Sequence, residues 1–256
     1  MSEEASAPLE WDAAAYSRVS TPQQEWAEAV IERLPLNGDE TILDAGCGSG
    51  LVTLRLLERV PRGRVIAVDA SSSMVEAALD ILPKERTEVL RADLTDLGLD
   101  GVADHAFSNA VFHWIPDHGA LFSNLHRAIR PGGFLAAQCG GSGNIRAILA
   151  AWNEVTATEP FLEVGPELAP GRRFAGVDET RDLLVEAGFE DCECWLEERV
   201  ARPEDARSFL QASGLAPARS ALSADQFELF TDRMMDTMGQ PETFDFVRLN
   251  ILARRG

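Results

Sequence analysis

The chain has 256 residues, of which 45% are hydrophobic and 7% aromatic, a composition typical of a globular protein with one large domain. It carries 42 acidic and 23 basic residues, for a net charge of −19. Such a surface repels nucleic-acid backbones, and the closest features to a basic patch are the pairs Arg172-Arg173 and Arg254-Arg255. The composition therefore argues against a nucleic-acid partner.

Membrane and metal signals are weak along the chain. No apolar run approaches the ~20 residues that span a bilayer, and the acidic start Met1–Pro8 lacks the features of a signal peptide. We expect residues 1–10 to be a flexible lead-in and the protein to be cytoplasmic, with no membrane partner. Cys192 and Cys194 face one side of a predicted strand, where soft-metal chemistry is an alternative to packed thiols. We favour packing and predict no metal, because the cysteine spacing fits no zinc template.

Helices and short apolar strands alternate over the first 140 residues. A helix is predicted over 22–34, with Thr21 as a possible cap. The predicted strands are Thr41–Asp44, Arg64–Asp69, Glu88–Asp93, Ala103–Ala110 and Phe134–Gln138, and the helices between them include Leu51–Val60, Ser73–Leu82 and Leu121–Ile129. Apolar strands alternating with helices indicate an α/β fold with an open, doubly wound parallel sheet.

The second half of the chain is less regular. Helices are predicted over Asn144–Thr158, Asp178–Ala187, about 204–213 and 223–238, and strands over Cys192–Val200 and Thr243–Ala253. No long linker interrupts this half, so we expect a single domain over 11–256. In that domain, 11–140 would form the ligand-binding core, and 141–177 and 203–241 would form a lid over the carboxyl edge of the sheet.

The loop Asp44–Gly50 follows the first strand and is the most informative segment. Its three glycines allow a sharp turn and close ligand approach, and the next helix points its amino-terminal amides at that ligand. A dinucleotide fingerprint reads G-x-G-x-x-G, but here the third glycine comes one position early and Asp44 precedes the first. An acid there repels a pyrophosphate and suits an ammonium group. S-adenosylmethionine carries an ammonium, a sulfonium and a carboxylate, so the loop predicts that cofactor.

The loop belongs to an ordered set of motifs, comprising Asp44–Gly50, Val68–Met74, Ala92-Asp93, Ser108–Trp114 and Leu125–Gly133, preceded by the arm Trp11–Trp26. This set resembles the class I S-adenosylmethionine-dependent methyltransferases, and most of all the small-molecule enzymes of the trans-aconitate methyltransferase type. The resemblance implies a seven-stranded, mostly parallel, Rossmann-like sheet and a single methyltransferase domain.

The resemblance also implies which residues hold the cofactor. They are Tyr16, Gln23, Asp44, Gly46, Gly48, Gly50, Asp69, Ala70, Met74, Ala92, Asp93, Leu94 and Asn109. Asp44 and the glycines would hold the methionine end, and Asp69 would accept from both ribose hydroxyls. Asp93 and the Leu94 amide would meet the adenine edge, with Ala70 and Met74 flanking the ring. Asn109 would lie near the sulfonium, with Tyr16 and Gln23 closing over the cofactor.

Each of these roles has a plainer alternative. Asp69 and Asp93 could only cap the helices that follow them, Met74 could be core, and Tyr16 could only pack the amino-terminal arm. His113 and Trp114 could form a structural corner.

The acceptor is harder to predict than the cofactor. Transfer from a sulfonium is an in-line displacement, in which positioning can contribute on the order of 7–11 kcal/mol. A carboxylate acceptor needs no base, whereas a hydroxyl or amine would need one, for which His113 is the best candidate. For a carboxylate, Arg146, Arg172 and Arg173 are candidate ligands, with Trp114 also in the substrate site.

We therefore expect methyl transfer to a small molecule, with O-methylation of a carboxylate favoured. Methylation at nitrogen, carbon or a hydroxyl remains an alternative, as does a different class: an NAD-dependent oxidoreductase or a non-catalytic cofactor-binding protein. The glycine spacing disfavours NAD.

Overall fold

A computed structural model describes residues 21–162, 165 and 172–256, with the side chains of residues 21–25 and 220 excepted. Tyr16 and the rest of the arm before residue 21 lie outside the described residues, as does the side chain of Gln23. Their predicted contacts with the cofactor stay predictions.

Seven strands and nine α-helices are assigned in the described part of the chain. The strands are β1 (Thr41–Ala45), β2 (Arg64–Asp69), β3 (Thr87–Arg91), β4 (Ala103–Asn109), β5 (Ile129–Gly140), β6 (Phe189–Ala201) and β7 (Phe244–Arg255). The helices are α1 (Thr21–Ile31), α2 (Leu51–Arg59), α3 (Ser72–Ile81), α4 (His118–Ala128), α5 (Arg146–Thr156), α6 (Val177–Glu186), α7 (Ala206–Phe209), α8 (Ala216–Ala221) and α9 (Ala224–Thr237). Two short 3₁₀ turns cover Leu94–Asp96 and Phe112–Trp114.

All seven strands form one sheet in the order β3-β2-β1-β4-β5-β7-β6. Strands β1 to β5 are parallel, and β7 runs antiparallel between β5 and β6. The strand order reverses between β1 and β4, which is where a doubly wound sheet opens a ligand crevice at its carboxyl edge. The predicted α/β fold with a mostly parallel seven-stranded sheet is confirmed.

Separate hydrophobic clusters cover the two sheet faces and fill the group formed by helices α5, α7, α8 and α9, which we call the lid. One face packs residues such as Ile66 and Leu125, and the other packs residues such as Val65 and Leu56. The lid has its own aromatic core, in which Trp152 of α5 meets Phe230 of α9 with ring centroids 5.0 Å apart. These lid helices lie in the segments 141–177 and 203–241 that the sequence predicted as lid.

Several element boundaries differ from the sequence predictions. The predicted helix 204–213 is only α7, which continues as a π-helical turn over Leu210–Gly214, and α8 was not predicted at all. Helix α4 begins at His118 because the Asp117 carboxylate accepts a hydrogen bond from Ala120 N at 2.9 Å. Strand β5 begins five residues early, at Ile129, which pairs with Ala103 of β4. Local sequence patterns miss this because the pairing is tertiary.

Among the described residues, no helix is long and apolar enough to cross a membrane.

Candidate active site

The predicted cofactor residues meet at the carboxyl edge of four neighbouring strands. Asp44 lies near the end of β1, Asp69 ends β2, Asp93 follows β3 and Asn109 ends β4. Since these strands are adjacent in the sheet, residues far apart in the chain share one edge. The backbone explains the arrangement, because the carboxyl ends of parallel strands all point the same way.

The glycine loop crosses from β1 to the end of β2. The amides of Gly46 and Cys47 donate to the Val68 carbonyl at 2.8 and 2.9 Å, and the Gly48 amide donates to Asp69 Oδ2 at 2.9 Å. Gly46 has φ 86°, and a β-carbon there would overlap the Val111 side chain. Only glycine fits this close approach. The hydrogen bonds to Val68 and Asp69 fix the loop on β2, the strand that also supplies Asp69.

Asp44 is the most unusual carboxylate of the site. It is 1% exposed, and its Oδ2 accepts a hydrogen bond from Thr53 Oγ1 at 2.6 Å. Burial raises the pKa of Asp44 to about 7, the Thr53 hydrogen bond opposes the rise, and the charge of Asp69 adds to it. A cationic ammonium group beside Asp44 would donate to the carboxylate and compensate its buried charge, so Asp44 fits the methionine end of S-adenosylmethionine.

Asp69 and Asp93 both have a structural role in the loops that follow their strands. Asp69 Oδ1 accepts from Ser71 N at 2.9 Å, and Asp93 Oδ1 accepts from both Thr95 N and Thr95 Oγ1 at 2.8 Å. Asp93 therefore caps the 3₁₀ turn after it, whereas the cap of α3 is Ser71 and Asp69 binds the Ser71 amide just before that helix. Asp69 Oδ2 also accepts from Gly48 N, and the cofactor roles of both carboxylates stay predictions.

The neighbours assigned to adenine are placed consistently with that prediction. Met74 is buried beside Gly48, with its sulfur 3.9 Å from the position of a β-carbon on that glycine. Ala70 and Ala92 are half-buried at the edge, and the Ala92 amide donates to the Asp69 carbonyl at 3.1 Å. Leu94 packs its side chain into the core.

A pocket adjoins this edge of the sheet beyond the end of β4. Its walls combine aromatic, amide and guanidinium groups, and the lining residues are Ala110, His113, Trp114, Asn144, Ile145, Arg172, Phe174, Ser213, Phe246 and Arg248. Ala110 directly follows Asn109, which places this pocket next to the predicted position of the sulfonium. We refer to it as the acceptor pocket.

His113 is buried in the wall of the acceptor pocket. Its Nδ1 accepts a hydrogen bond from Gly140 N at 3.2 Å, which assigns the proton of the neutral ring to Nε2. Burial holds the pKa of His113 well below its usual value, and the charges of Arg248 and Arg172 lower it further. A neutral ring with one nitrogen accepting and the other protonated can donate but has no lone pair to receive a proton. This arrangement does not fit the general-base role predicted for His113.

Arg172 stacks on Trp114, with its guanidinium carbon 4.5 Å from the ring centroid. Its Nη2 donates to the carbonyls of Ser213 and Gly214 at 3.1 and 2.9 Å, which ties it to the π-helical turn of the lid. Its Nε is buried and has no hydrogen-bond partner among the described residues. Burial lowers the pKa of Arg172 to about 10, so the group stays cationic at neutral pH.

Arg248 and Asn144 complete the polar wall. Arg248 is 3% exposed, lies 5.2 Å from the Trp26 ring centroid and comes from the middle of β7. Asn144 Oδ1 accepts from Val247 N at 2.9 Å, so Nδ2 is the donor that its amide can offer a ligand. The polar side of the pocket wall therefore presents hydrogen-bond donors to a ligand.

Two of the predicted substrate ligands lie elsewhere. Arg146 is exposed on the first turn of α5 and does not line the acceptor pocket. Arg173 donates to the Pro116 carbonyl and pairs with Glu179 at 2.5 Å outside the pocket. The pocket lining therefore includes neither of these predicted ligands, because arginines near a site cannot be separated from its ligands without the tertiary structure. Trp114 and Arg172 do line the pocket.

Sequence reasoning missed Arg248 and Asn144. A signal for Arg248 was present, since Arg248 and Asn250 interrupt the apolar pattern of β7 at positions that share one face. When a strand is otherwise apolar, two polar residues spaced by two positions lie on the same buried face. Such a pattern indicates a buried polar site.

The thiols offer no comparable site. Cys194 is buried in the sheet face and burial raises its pKa to about 11, while Cys192 is half-buried. No group of three or more potential metal ligands occurs among the residues that the structure describes.

Comparison with known proteins agrees with this architecture. Residues 43–137 match the family described as a methyltransferase domain. Trans-aconitate 2-methyltransferase of Azoarcus sp. strain BH72 is 39% identical over 128 residues, half of each chain. The enzyme of the same name from Shigella flexneri serotype 5b is 28% identical over 257 residues, covering 96% of this chain and 98% of the relative.

Solved structures share the fold at low sequence identity. YcgJ of Bacillus subtilis superposes with a TM-score of 0.64 at 14% identity, covering 90% of this chain and 98% of that one. Phosphoethanolamine N-methyltransferase 2 of Haemonchus contortus, in complex with S-adenosylmethionine, gives 0.64 at 18% identity, covering 95% and 56%.

The protein is a methyltransferase, an enzyme that transfers methyl groups, and its cofactor is S-adenosylmethionine. Within the class it is similar to the trans-aconitate 2-methyltransferases over nearly its whole length. The oxidoreductase and non-catalytic alternatives are thereby set aside.

Proposed function

We propose that this enzyme O-methylates a carboxylate of a small organic acid that carries at least two carboxylates. The observation that carries the proposal is the donor wall of the acceptor pocket, in which Arg172 and Arg248 are the charged groups. The relatives that match over nearly the whole chain are named trans-aconitate 2-methyltransferases, and this name supports the same substrate class.

The charge of the pocket is opposite to that of the protein. The whole chain has a net charge of −19, yet the described lining holds two arginines and no aspartate or glutamate. Guanidinium groups bind carboxylates through charge-assisted hydrogen bonds, each of which contributes about 1.5–3 kcal/mol. Two such groups favour a ligand with more than one carboxylate and disfavour an amine.

The pocket also lacks a group that could serve as a base. The described lining contains no carboxylate, and His113 is neutral with Nδ1 occupied by Gly140 N. A hydroxyl or ammonium acceptor must lose a proton, whereas a carboxylate attacks in its ordinary ionised state. His113 is accordingly proposed as a hydrogen-bond donor to the acceptor rather than as a base.

The reaction then needs only alignment. Bound S-adenosylmethionine supplies an electrophilic methyl group on a positively charged sulfur. The acceptor's carboxylate oxygen would form a bond to that methyl carbon while the carbon–sulfur bond breaks, the bonding electron pair would leave with sulfur, and no proton would move. Arg172, Arg248 and His113 would hold the acceptor beside Asn109, so that positioning provides most of the rate enhancement.

The products identify the acceptor atom directly. Di- and tricarboxylic acids are incubated with methyl-labelled cofactor, and the labelled product is treated with mild alkali. We expect the label to be released as methanol, since methyl esters hydrolyse whereas methyl ethers and methylamines do not. Alkali-stable label would overturn the proposal.

Arg172→Gln tests the residue assignment. We expect the KM of the acid to rise between 10- and 100-fold, corresponding to one charge-assisted contact, with little change in cofactor affinity. The matched control is Arg146→Gln, an exposed arginine outside the pocket, which should behave as wild type. Equal effects of the two substitutions would contradict the assignment.

A further inference from the structure

A buried pair of amides contacts Arg248 in the wall of the acceptor pocket. Gln138, at the carboxyl end of β5, faces Asn250 of β7 in the sheet register. Gln138 Nε2 donates to Asn250 Oδ1 at 2.7 Å, and Arg248 Nε donates to Gln138 Oε1 at 3.2 Å. Gln138 is 1% and Asn250 0% exposed. Buried polar groups linked in this way fix one side-chain arrangement, because each alternative leaves a group unsatisfied.

The strands bring these groups together by register. Arg248 and Asn250 are two residues apart on β7, so their side chains project from the same face as Gln138. Gly140 lies opposite Arg248 in the register. A β-carbon on Gly140 would lie 2.5 Å from Asn144 Nδ2 and 2.7 Å from the Phe174 ring. The missing side chain lets both of these lining groups reach the pocket.

The chemistry of the Gln138 contact is informative. Buried cations are usually paired with carboxylates, whose charge cancels much of their attraction for another anion. At Arg248 Nε the partner is a neutral amide, which orients the guanidinium without adding a negative charge. Asn250 in turn fixes the amide, because its Oδ1 takes the Gln138 donor and its Nδ2 donates to the Arg248 carbonyl at 3.4 Å.

We propose that Gln138, fixed by Asn250, is a positioning and specificity-determining residue. It aligns Arg248 with the acceptor and, by being uncharged, adds no negative charge beside the Arg248 guanidinium that would repel the acceptor's carboxylate. The inference rests on the proposed function, since it assigns Arg248 to an anionic acceptor, but its test does not require turnover.

The test is a calorimetric titration of tricarballylate into the enzyme saturated with S-adenosylhomocysteine. Gln138→Glu keeps an acceptor for Arg248 Nε but adds a negative charge, whereas Gln138→Met keeps the size and removes both hydrogen bonds. We expect Gln138→Glu to raise the Kd of tricarballylate at least 10-fold and Gln138→Met about threefold. Gln240→Glu, the same change at an exposed position in the turn after α9, is the matched control and should leave the Kd unchanged.

The order of the two effects separates the proposal from a merely structural role. If Gln138 only stabilises the sheet, Gln138→Met is the more damaging change, and Tm and the Kd of S-adenosylhomocysteine move with it. That order would overturn the inference, as would absence of tricarballylate binding to the wild type or an unchanged Kd in Gln138→Glu. If the expected order is found but no alkali-labile product forms, the positioning role stands and the proposed function fails.

Discussion

Two halves of the same sheet edge carry opposite charges. The cofactor half, at the ends of β1 to β3, is built from the carboxylates Asp44, Asp69 and Asp93, while the acceptor pocket beside β5 and β7 is built around Arg172 and Arg248. The proposed ligands account for the difference. An ammonium group and ribose hydroxyls present donors, whereas an organic acid presents acceptors, so one edge uses carboxylates and the other guanidiniums.

The halves are also assembled differently. The predicted cofactor residues Asp44, Asp69, Asp93 and Asn109 lie at or just after strand ends, and each comes from a different strand. The acceptor pocket takes its groups from a 3₁₀ turn, the start of the lid, the segment before α6 and the middle of β7. The first kind of site is fixed by sheet topology alone. The second depends on how the lid packs onto the sheet.

The largest expected effect is at Asp44. Asp44→Asn keeps an oxygen to accept from Thr53 Oγ1 but removes the charge facing the cofactor's ammonium. We expect the Kd of S-adenosylhomocysteine to rise about 100-fold, the loss of one buried charge-assisted contact, measured by calorimetry at pH 7.5. The affinity of the acceptor pocket for tricarballylate should change less than threefold. A rise in both Kd values would show that the halves are not separate.

The pKa of Asp44 gives this comparison a pH dependence. The pKa of Asp44 in the folded protein is about 7, so the ionised fraction of Asp44 increases as the pH rises toward 7. Over this range we expect wild-type affinity for S-adenosylhomocysteine to increase up to tenfold for each unit by which the pH rises. It should decrease above about 8, where an α-amino group loses its proton. Asp44→Asn should lack the increase below pH 7.

The free energy of unfolding should change with pH in the opposite sense, decreasing where the cofactor affinity increases. A raised pKa in the folded state stabilises the protein below the unfolded pKa, and that stability is lost as the pH rises through about 7. Ligand-free Asp44→Asn should therefore be at least as stable as wild type at pH 8. A much lower Tm of Asp44→Asn at pH 8 would contradict this account.

Gly140→Ala should damage the acceptor half selectively. The added β-carbon meets Asn144 at 2.5 Å and Phe174 at 2.7 Å, an overpacking that typically costs about 1–3 kcal/mol of stability. We expect the KM of the acid to rise about tenfold while the Kd of S-adenosylhomocysteine stays within twofold, as judged by steady-state kinetics and calorimetry.

The matched control for this change is Gly176→Ala. At Gly176, φ is −86° and an added β-carbon has nothing within 4 Å, so both constants should stay near wild type. If Gly140→Ala weakens both ligands equally, the boundary between the two halves is not at β5.

The smallest expected effect comes from the surface. A net charge of −19 slows the approach of an anionic acid, and salt screens this repulsion because the Debye length falls from about 30 Å at 0.01 M to about 10 Å at 0.1 M. We expect kcat/KM for a tricarboxylate to rise two- to threefold between 20 and 200 mM KCl. A monocarboxylate should respond less. A decrease with salt would mean that the acceptor pocket, rather than the surface, controls encounter.

Much of the cofactor half could be predicted from the sequence, because its residues are read from a contiguous pattern. The loop Asp44–Gly50 follows an apolar strand, and Asp69 and Asp93 occur where two further strands end. Strand ends, glycines and acids are all local signals. The interrupted helix at Leu210–Gly214 could not be predicted in this way, since its π-helical turn accompanies the carbonyl contacts that Arg172 makes across the lid.

The sequence by itself determined the α/β class, the sheet and the kind of cofactor, because strand period, turn chemistry and the position of one acid are encoded locally. Only the tertiary structure decided which arginines face the acceptor pocket and that Gly140 N occupies Nδ1 of His113. Arg172 and Arg173 are adjacent in sequence, yet one is stacked on Trp114 in the pocket and the other is paired with Glu179 outside it. The choice between them is made by burial and by contacts with distant segments.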